Sequence, residues 1–193
     1  MLNDPYQYRI LAMDPGTDTL GVAVLAIDFR TNAVTALTGL TIHSGKTTND
    51  YGVGERFYGN RFMRLENSKA AITALLERWQ PHAIVHESPF MRKFAEAYRA
   101  LSECIQNIRQ ACFEHDPSIV IEYVDPPTAK IAVGTPRVKG VTKDDVRNAL
   151  LSLGLAVSPT VNLSTWDEHT VDAAAVGYWK ALQLIGGVGY GKI

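Results

Sequence analysis

Tyr8-Arg-Ile-Leu-Ala-Met-Asp14 runs into Pro15-Gly16, and Leu20-Gly-Val-Ala-Val-Leu-Ala-Ile-Asp28 begins shortly after that turn. The first stretch is an apolar run stopped by a turn, and the second is rich in Val, so both read as strands. Phe29-Arg-Thr-Asn32 makes a turn and Ala33 to Thr41 a third strand, so the chain opens with an antiparallel meander.

Outward from the meander, Ile42 to Phe57 is rich in Ser, Gly, Thr, Asn and Asp and reads as a long loop. Tyr58 to Trp79 has Phe62, Leu65, Ile72, Leu75 and Leu76 near helical spacing, with Pro81 just beyond. His82 to Glu87 is a short strand ended by Ser88-Pro89. Phe94 to Glu114 is the clearest helix, its apolar stripe running from Phe94 through Ala97, Tyr98 and Leu101 to Ala111. Ser118 to Val124 is a further strand, and a short segment follows Pro126-Pro127. Gly134 to Gly140 is a basic loop. Thr142 begins a helix with Asp145 placed for a capping box. Trp166 to Ile185 is the last helix, with Val171, Ala174, Tyr178, Leu182 and Ile185 as its core stripe, and 186–193 is a flexible tail. This order implies an α/β fold. Its mixed five-stranded sheet has three antiparallel and then parallel strands, with helices flanking it. The expectation is a single domain over 1–193 with a core spanning about 8–185.

Composition narrows the class. At 193 residues and 46% hydrophobic content the chain can bury its own core, and disorder is excluded. The longest apolar-looking stretch, Val171 to Val188, is broken by Lys180, Gln183 and glycines, so no membrane span is expected. The first residues do not pair a basic segment with an apolar one, as a signal peptide would. Cys104 and Cys112 sit eight residues apart in one expected helix. A rise of about 12 Å is too far to bridge, so the expected setting is a reducing one, the cytoplasm. The net charge of −1 taken alone argues against nucleic acid as a partner.

Charge averages hide patches. Between Pro126 and Asn148, Lys130, Arg137, Lys139, Lys143 and Arg147 face only Asp144 and Asp145. Between Glu55 and Lys69, Arg56, Arg61, Arg64 and Lys69 face Glu55 and Glu66. Either segment could follow phosphates, and ordinary solvated helix faces are an equal reading of the second.

Asp14 and Glu87 each end an apolar strand, where open α/β sheets bind ligands. Each alone is an ordinary turn or strand-end acid. If their strands are neighbours, two carboxylates converge at one sheet end and call for a cation, with Mg²⁺ the natural choice. His169 and Asp172 share a helix face, with Val176 beside them in reach of a site. Asp167 and Glu168 read as first-turn acids that complement the helix dipole.

Ile10-Leu-Ala-Met-Asp14-Pro-Gly-Thr resembles the first motif of RuvC-type Holliday-junction resolvases, members of the RNase H-like superfamily. Ala83-Ile-Val-His-Glu87-Ser-Pro-Phe90 is similar to their second motif, and His169-Thr-Val-Asp172-Ala-Ala-Ala to their last. Val120-Ile-Glu-Tyr123, Lys130-Ile-Ala-Val-Gly134 and Lys143 also have family counterparts, so the resemblance covers about Tyr8 to Leu184. It implies an RNase H-like fold holding two Mg²⁺ at Asp14, Glu87, His169 and Asp172. It also implies paired nicks in four-way junction DNA that leave 5′-phosphate and 3′-hydroxyl ends. His169 stands where many members have Asp, which favours Mn²⁺ as a substitute. The resemblance further implies a homodimer and DNA contacts at Lys130 and Lys143, and the charge of the basic loop adds Arg137 and Lys139 as DNA contacts. It places Phe90 against unpaired bases at the opened junction centre, and a buried loop anchor is the other reading of that residue.

Other readings stand beside it. A two-lobed ATPase shares the Asp-x-Gly-Thr hairpin but needs a longer chain. A P-loop fails because Leu40 occupies the first glycine position before Gly45-Lys46-Thr47. A nuclease of the same fold acting on other branched DNA or on ribosomal RNA precursor remains open, as does a non-catalytic DNA-binding module.

Overall fold

The computed structural model describes residues 4–45, 52–89, 95–138 and 140–186. Phe90, Lys139 and the tail beyond 186 therefore lie outside the described residues. Strands β1 (Gln7–Asp14), β2 (Leu20–Asp28) and β3 (Ala33–Ile42) form the expected meander. β4 (Ala83–Glu87) pairs parallel with β1, and β5 (Ile121–Val124) parallel with β4. A sixth strand, β6 (Ala156–Val157), adds to β3 and gives the order β5-β4-β1-β2-β3-β6. It escapes a sequence reading because two exposed residues carry no periodicity.

Six α-helices complete the described chain: α1 (Gly52–Tyr58), α2 (Asn60–Trp79), α3 (Ala95–His115), α4 (Pro126–Ala132), α5 (Lys143–Ser152) and α6 (Glu168–Ile185). None of them is long and apolar enough to cross a membrane. Side chains alternate across the central strands, so one sequence feeds two cores. Leu11, Met13, Val22 and Val24 pack beneath α2 and α3, against Ile72, Leu76, Cys104 and Ile108. Ile10, Ala12, Ala23, Leu25 and Ile27 face the other way, toward α4, α5 and α6. Cys104 and Cys112 are both free and buried, and burial pushes both thiols up to about 12.

Several local expectations are corrected. The stretch read as loop contains α1, whose Val53, Phe57 and Tyr58 are all exposed and so give no buried stripe. Gly59, at φ 84, separates α1 from α2 in a conformation that side-chain-bearing residues avoid. Phe62 is exposed instead of buried, and in α3 the stripe sinks into the core only from Cys104 onward, leaving Ala97 and Tyr98 exposed. The last helix starts at Glu168, because Asp167 caps it by accepting from the Thr170 N–H and the Thr41 hydroxyl. Trp166 stays extended and packs where Gly39 leaves room. Val176 lies wholly in the core and Leu182 is exposed, since α6 is buried around most of its girth.

Arg9 binds β1 to the end of α2. Its guanidinium, 5% exposed, donates to the carbonyls of Trp79 (2.7 Å) and Gln80 (3.0 Å). A cation at a helix C-terminus meets the negative end of the dipole. Arg9→Ala is expected to cost about 2–3 kcal/mol in urea unfolding, and Arg9→Lys recovers only part because it lacks the planar fork. Beside it, the Arg9 backbone N–H donates to His82 Nδ1 at 2.9 Å. Burial, with help from the Arg9 charge, holds the His82 pKa below 6.5. The folded state thus prefers neutral His82. Its contribution is complete above pH 6.5 and is lost as pH falls through the lower folded-state value. Melting curves from pH 7.5 to 5.5 should fall less steeply for His82→Asn than for the parent chain.

Candidate active site at the carboxyl end of the sheet

β1 and β4 run parallel with Met13 opposite His86, so their last residues, Asp14 and Glu87, leave the sheet side by side. The other partner of Asp14 is Gly21 on β2. A Cβ at Gly21 would stand 2.1 Å from the His169 carbonyl oxygen. Only the missing side chain lets the first turn of α6 lie against this edge. That approach brings the His169 ring to Asp14. Nδ1–H donates to Asp14 Oδ2 at 3.2 Å, and Nε2 lies 3.1 Å from the Thr19 hydroxyl. The imidazole is held at both nitrogens, and the hydrogen bond to Asp14 is the main reason its pKa rises above the ordinary value.

Asp172, one turn along α6, points into the same end of the sheet. Burial raises its pKa, the nearby Asp14 carboxylate adds to the rise, and the Lys130 ammonium, 3.9 Å away, opposes it. Two acids close enough to repel in a half-buried site form a donor set suited to a hard divalent cation. Among the described residues, however, no three His, Cys, Asp or Glu side chains stand close enough together to hold a metal ion. Asp14 turns to His169 and Asp172 to Lys130.

Glu87, Asp172, Lys130 and Lys143 line one cleft of about 450 Å³, together with Pro15 and with Tyr98 and Leu101 of α3. Lys130 comes from α4, fixed by its Asp125 cap. Lys143 opens α5, which is fixed by the expected Thr142–Asp145 capping box, and pairs with Glu168. Arg137 is exposed beyond Lys130. Two acids and two cations in one cleft form an arrangement able to hold a phosphate group by charge and polarise its oxygens.

The basic segments divide by role. Arg147 is structural: its guanidinium donates to the Trp166 carbonyl at 2.6 Å. In the other segment Arg61 pairs with Glu103, Arg64 with Asp18 and Lys69 with Glu114. Sequence reasoning missed Thr19 and Gly21 altogether. A glycine inside a Val-rich strand was the available signal for Gly21, and nothing local marks Thr19.

No protein-family model and no curated protein matches the sequence. Solved structures do. Thermus thermophilus RuvC superposes with a TM-score of 0.67 at 21% identity, over 93% of this chain and 96% of that one. Its complex with a Holliday junction substrate gives 0.68 at 20% identity over the same shares. The yeast mitochondrial Holliday junction resolvase gives 0.66 at 12% identity, over 94% and 81%. The chain has the fold of the RuvC resolvases. The RuvC fold accounts for 93% of this chain. Within that RuvC fold the motif residues Asp14, Glu87, His169 and Asp172 fall at one end of the sheet, drawn from three separate elements.

Proposed function

We propose that this chain is a divalent-metal-dependent endonuclease that resolves four-way DNA junctions by paired nicks. The observation that carries the reading is that Asp14, Glu87, His169 and Asp172 come from β1, β4 and α6 to one end of the sheet, where Glu87 and Asp172 line a cleft with Lys130 and Lys143. A DNA-binding module has no use for mutually repelling acids beside its phosphate-facing lysines. Asp14, Glu87, His169 and Asp172 would hold two Mg²⁺ ions, with Mn²⁺ able to substitute. When bound, such ions supply an activated water and neutralise charge on the leaving 3′-oxygen.

The chain's own residues do the rest. Lys130 and Lys143 draw the scissile phosphate into the cleft, while Arg137 and Lys139 guide the flanking backbone. Thr19 and Asp14 fix the His169 ring, so its orientation is set before substrate arrives. Pro15, Tyr98 and Leu101 wall the cleft and limit the water around the phosphate.

A symmetric pair of subunits suits a junction with two like strands to be cut. The exposed apolar face of Val53, Phe57, Tyr58 and Phe62 supports a homodimer. Phe57→Glu is expected to sediment as a monomer where the parent chain does not. The deciding experiment is a cleavage panel of four-way junction, flap, duplex and RNA–DNA hybrid in Mg²⁺ and in Mn²⁺. Paired, ligatable nicks confined to the junction support the reading, and equal cutting of flap or hybrid overturns the junction assignment.

A further inference from the structure

We propose that a second pocket, between α4 and the chain that follows it, is a subsite for one unstacked nucleobase of the bound DNA strand. The inference rests on the nuclease reading and deepens it. The pocket has a volume of about 420 Å³, within the range of small-molecule sites. Pro127, Ile131 and Val138 give it apolar walls, and Ile131 and Val138 keep their side chains exposed at its rim. Lys130 and Arg137 flank it with positive charge.

Thr135 supplies the polar group. It is 5% exposed and lines the pocket, and its hydroxyl has no hydrogen-bond partner. Its backbone N–H is engaged with the Lys130 carbonyl at 3.3 Å, which fixes the residue in place. A buried hydroxyl without a partner is costly and rare. Thr135 lines an apolar pocket between two cations, and rotation about its χ1 would bring the covered hydroxyl to a flat heterocycle carrying donors and acceptors on its edge and a phosphate on its other side. A phosphate alone would have no use for the apolar walls. Lys130 and Pro126 line both this pocket and the carboxylate cleft. A strand lying in the cleft therefore passes the pocket mouth, and a base displaced from its stack can enter.

Two measurements test this. In the first, four-way junctions carry 2-aminopurine at successive positions on both sides of the nicked bond. One position is expected to brighten when the junction binds, because the pocket walls hold no aromatic ring to quench it. Val138→Trp, which fills the pocket from an exposed position, should abolish that signal while the junction still binds. Thr135→Val should fold at least as stably and reduce discrimination between bases at that position by about fivefold, the factor matching one net hydrogen bond. Bound and nicked junctions with no brightened position, or brightening that survives Val138→Trp, overturn the subsite and leave the nuclease reading standing.

The second measurement needs neither metal nor cleavage. Titration of the ¹⁵N-labelled chain with deoxynucleoside monophosphates should shift the Thr135, Ile131 and Val138 amides, and inorganic phosphate should not. Equal shifts with phosphate reduce the pocket to an anion site. Loss of self-association in Val138→Trp assigns it to a second copy of the chain. Either result overturns the proposal.

Discussion

Asp14→Asn is expected to bind a four-way junction as the parent chain does and to nick it at least about a thousandfold more slowly in Mg²⁺. Asparagine keeps the size of the side chain and can still accept from His169 Nδ1–H, so the packing around the end of β1 survives. It loses the negative charge, and a neutral amide oxygen is a poor replacement for a carboxylate beside a hard cation. The loss of several kcal/mol of charge stabilisation converts, at 1.36 kcal/mol per decade, to that factor. Binding should persist because the Asp14 side chain is only 16% exposed and the charge proposed to meet phosphate belongs to Lys130 and Lys143, which line the cleft. Single-turnover cleavage and a gel-shift titration of the same junction separate the two effects. Normal nicking by the variant would remove Asp14 from the metal site. An independent readout is the His169 ring, whose pKa should fall toward its ordinary value once the carboxylate that raises it is gone.

Gly21→Ala should be nearly as damaging, although Gly21 has no chemistry of its own. Its new Cβ would stand 2.1 Å from the His169 carbonyl oxygen and 2.4 Å from the carbonyl carbon. The obstacle is backbone, which cannot rotate away, so the start of α6 must lift off β2. Overpacking of this kind costs about 1–3 kcal/mol, a fall in Tm of about 2–12 °C for a chain of this size. His169 and Asp172 move with the helix, and a displacement near 1 Å at a catalytic group costs about 100-fold in rate. Gly39→Ala is the comparison. Its Cβ meets the Trp166 ring at 2.5 Å and the Thr170 methyl at 2.6 Å, so it presses on the same turn of α6 through side chains, which can shift where backbone cannot. It should destabilise the fold and cost less cleavage at a permissive temperature than Gly21→Ala. Equal loss of cleavage in both variants would mean that the contact with the His169 backbone is not what Gly21 protects.

Asp14 and Glu87 show what could be read in advance. Each closes a short apolar run, and a carboxylate that ends a strand before Pro-Gly or Ser-Pro is visible in the order of residues. The Thr142–Asp145 capping box, the meander of β1 to β3 and the crossover order were legible for the same reason. Each is a local pattern of side-chain types with a fixed period or offset. α1 was not legible, since its apolar residues Val53, Phe57 and Tyr58 are exposed and leave no buried stripe. The misplaced start of α6 had a different cause. Trp166 is held by room that Gly39 leaves on a distant strand, and Asp167 caps the helix partly through Thr41.

The sequence by itself determined most of the elements, that the central strands are continuous apolar runs, and which acids stand at strand ends. These follow from backbone preference and from apolar runs that only burial on both faces of the sheet satisfies. Tertiary structure alone decided that Gly21 lies against His169, that Arg9 closes the end of α2, that Arg147 serves Trp166, and that Thr135 lines a pocket with its hydroxyl buried and unpaired. Those contacts join residues far apart in the chain, or depend on a side chain that is missing. No local pattern encodes them, because their energy exists only once the sheet has brought the partners together.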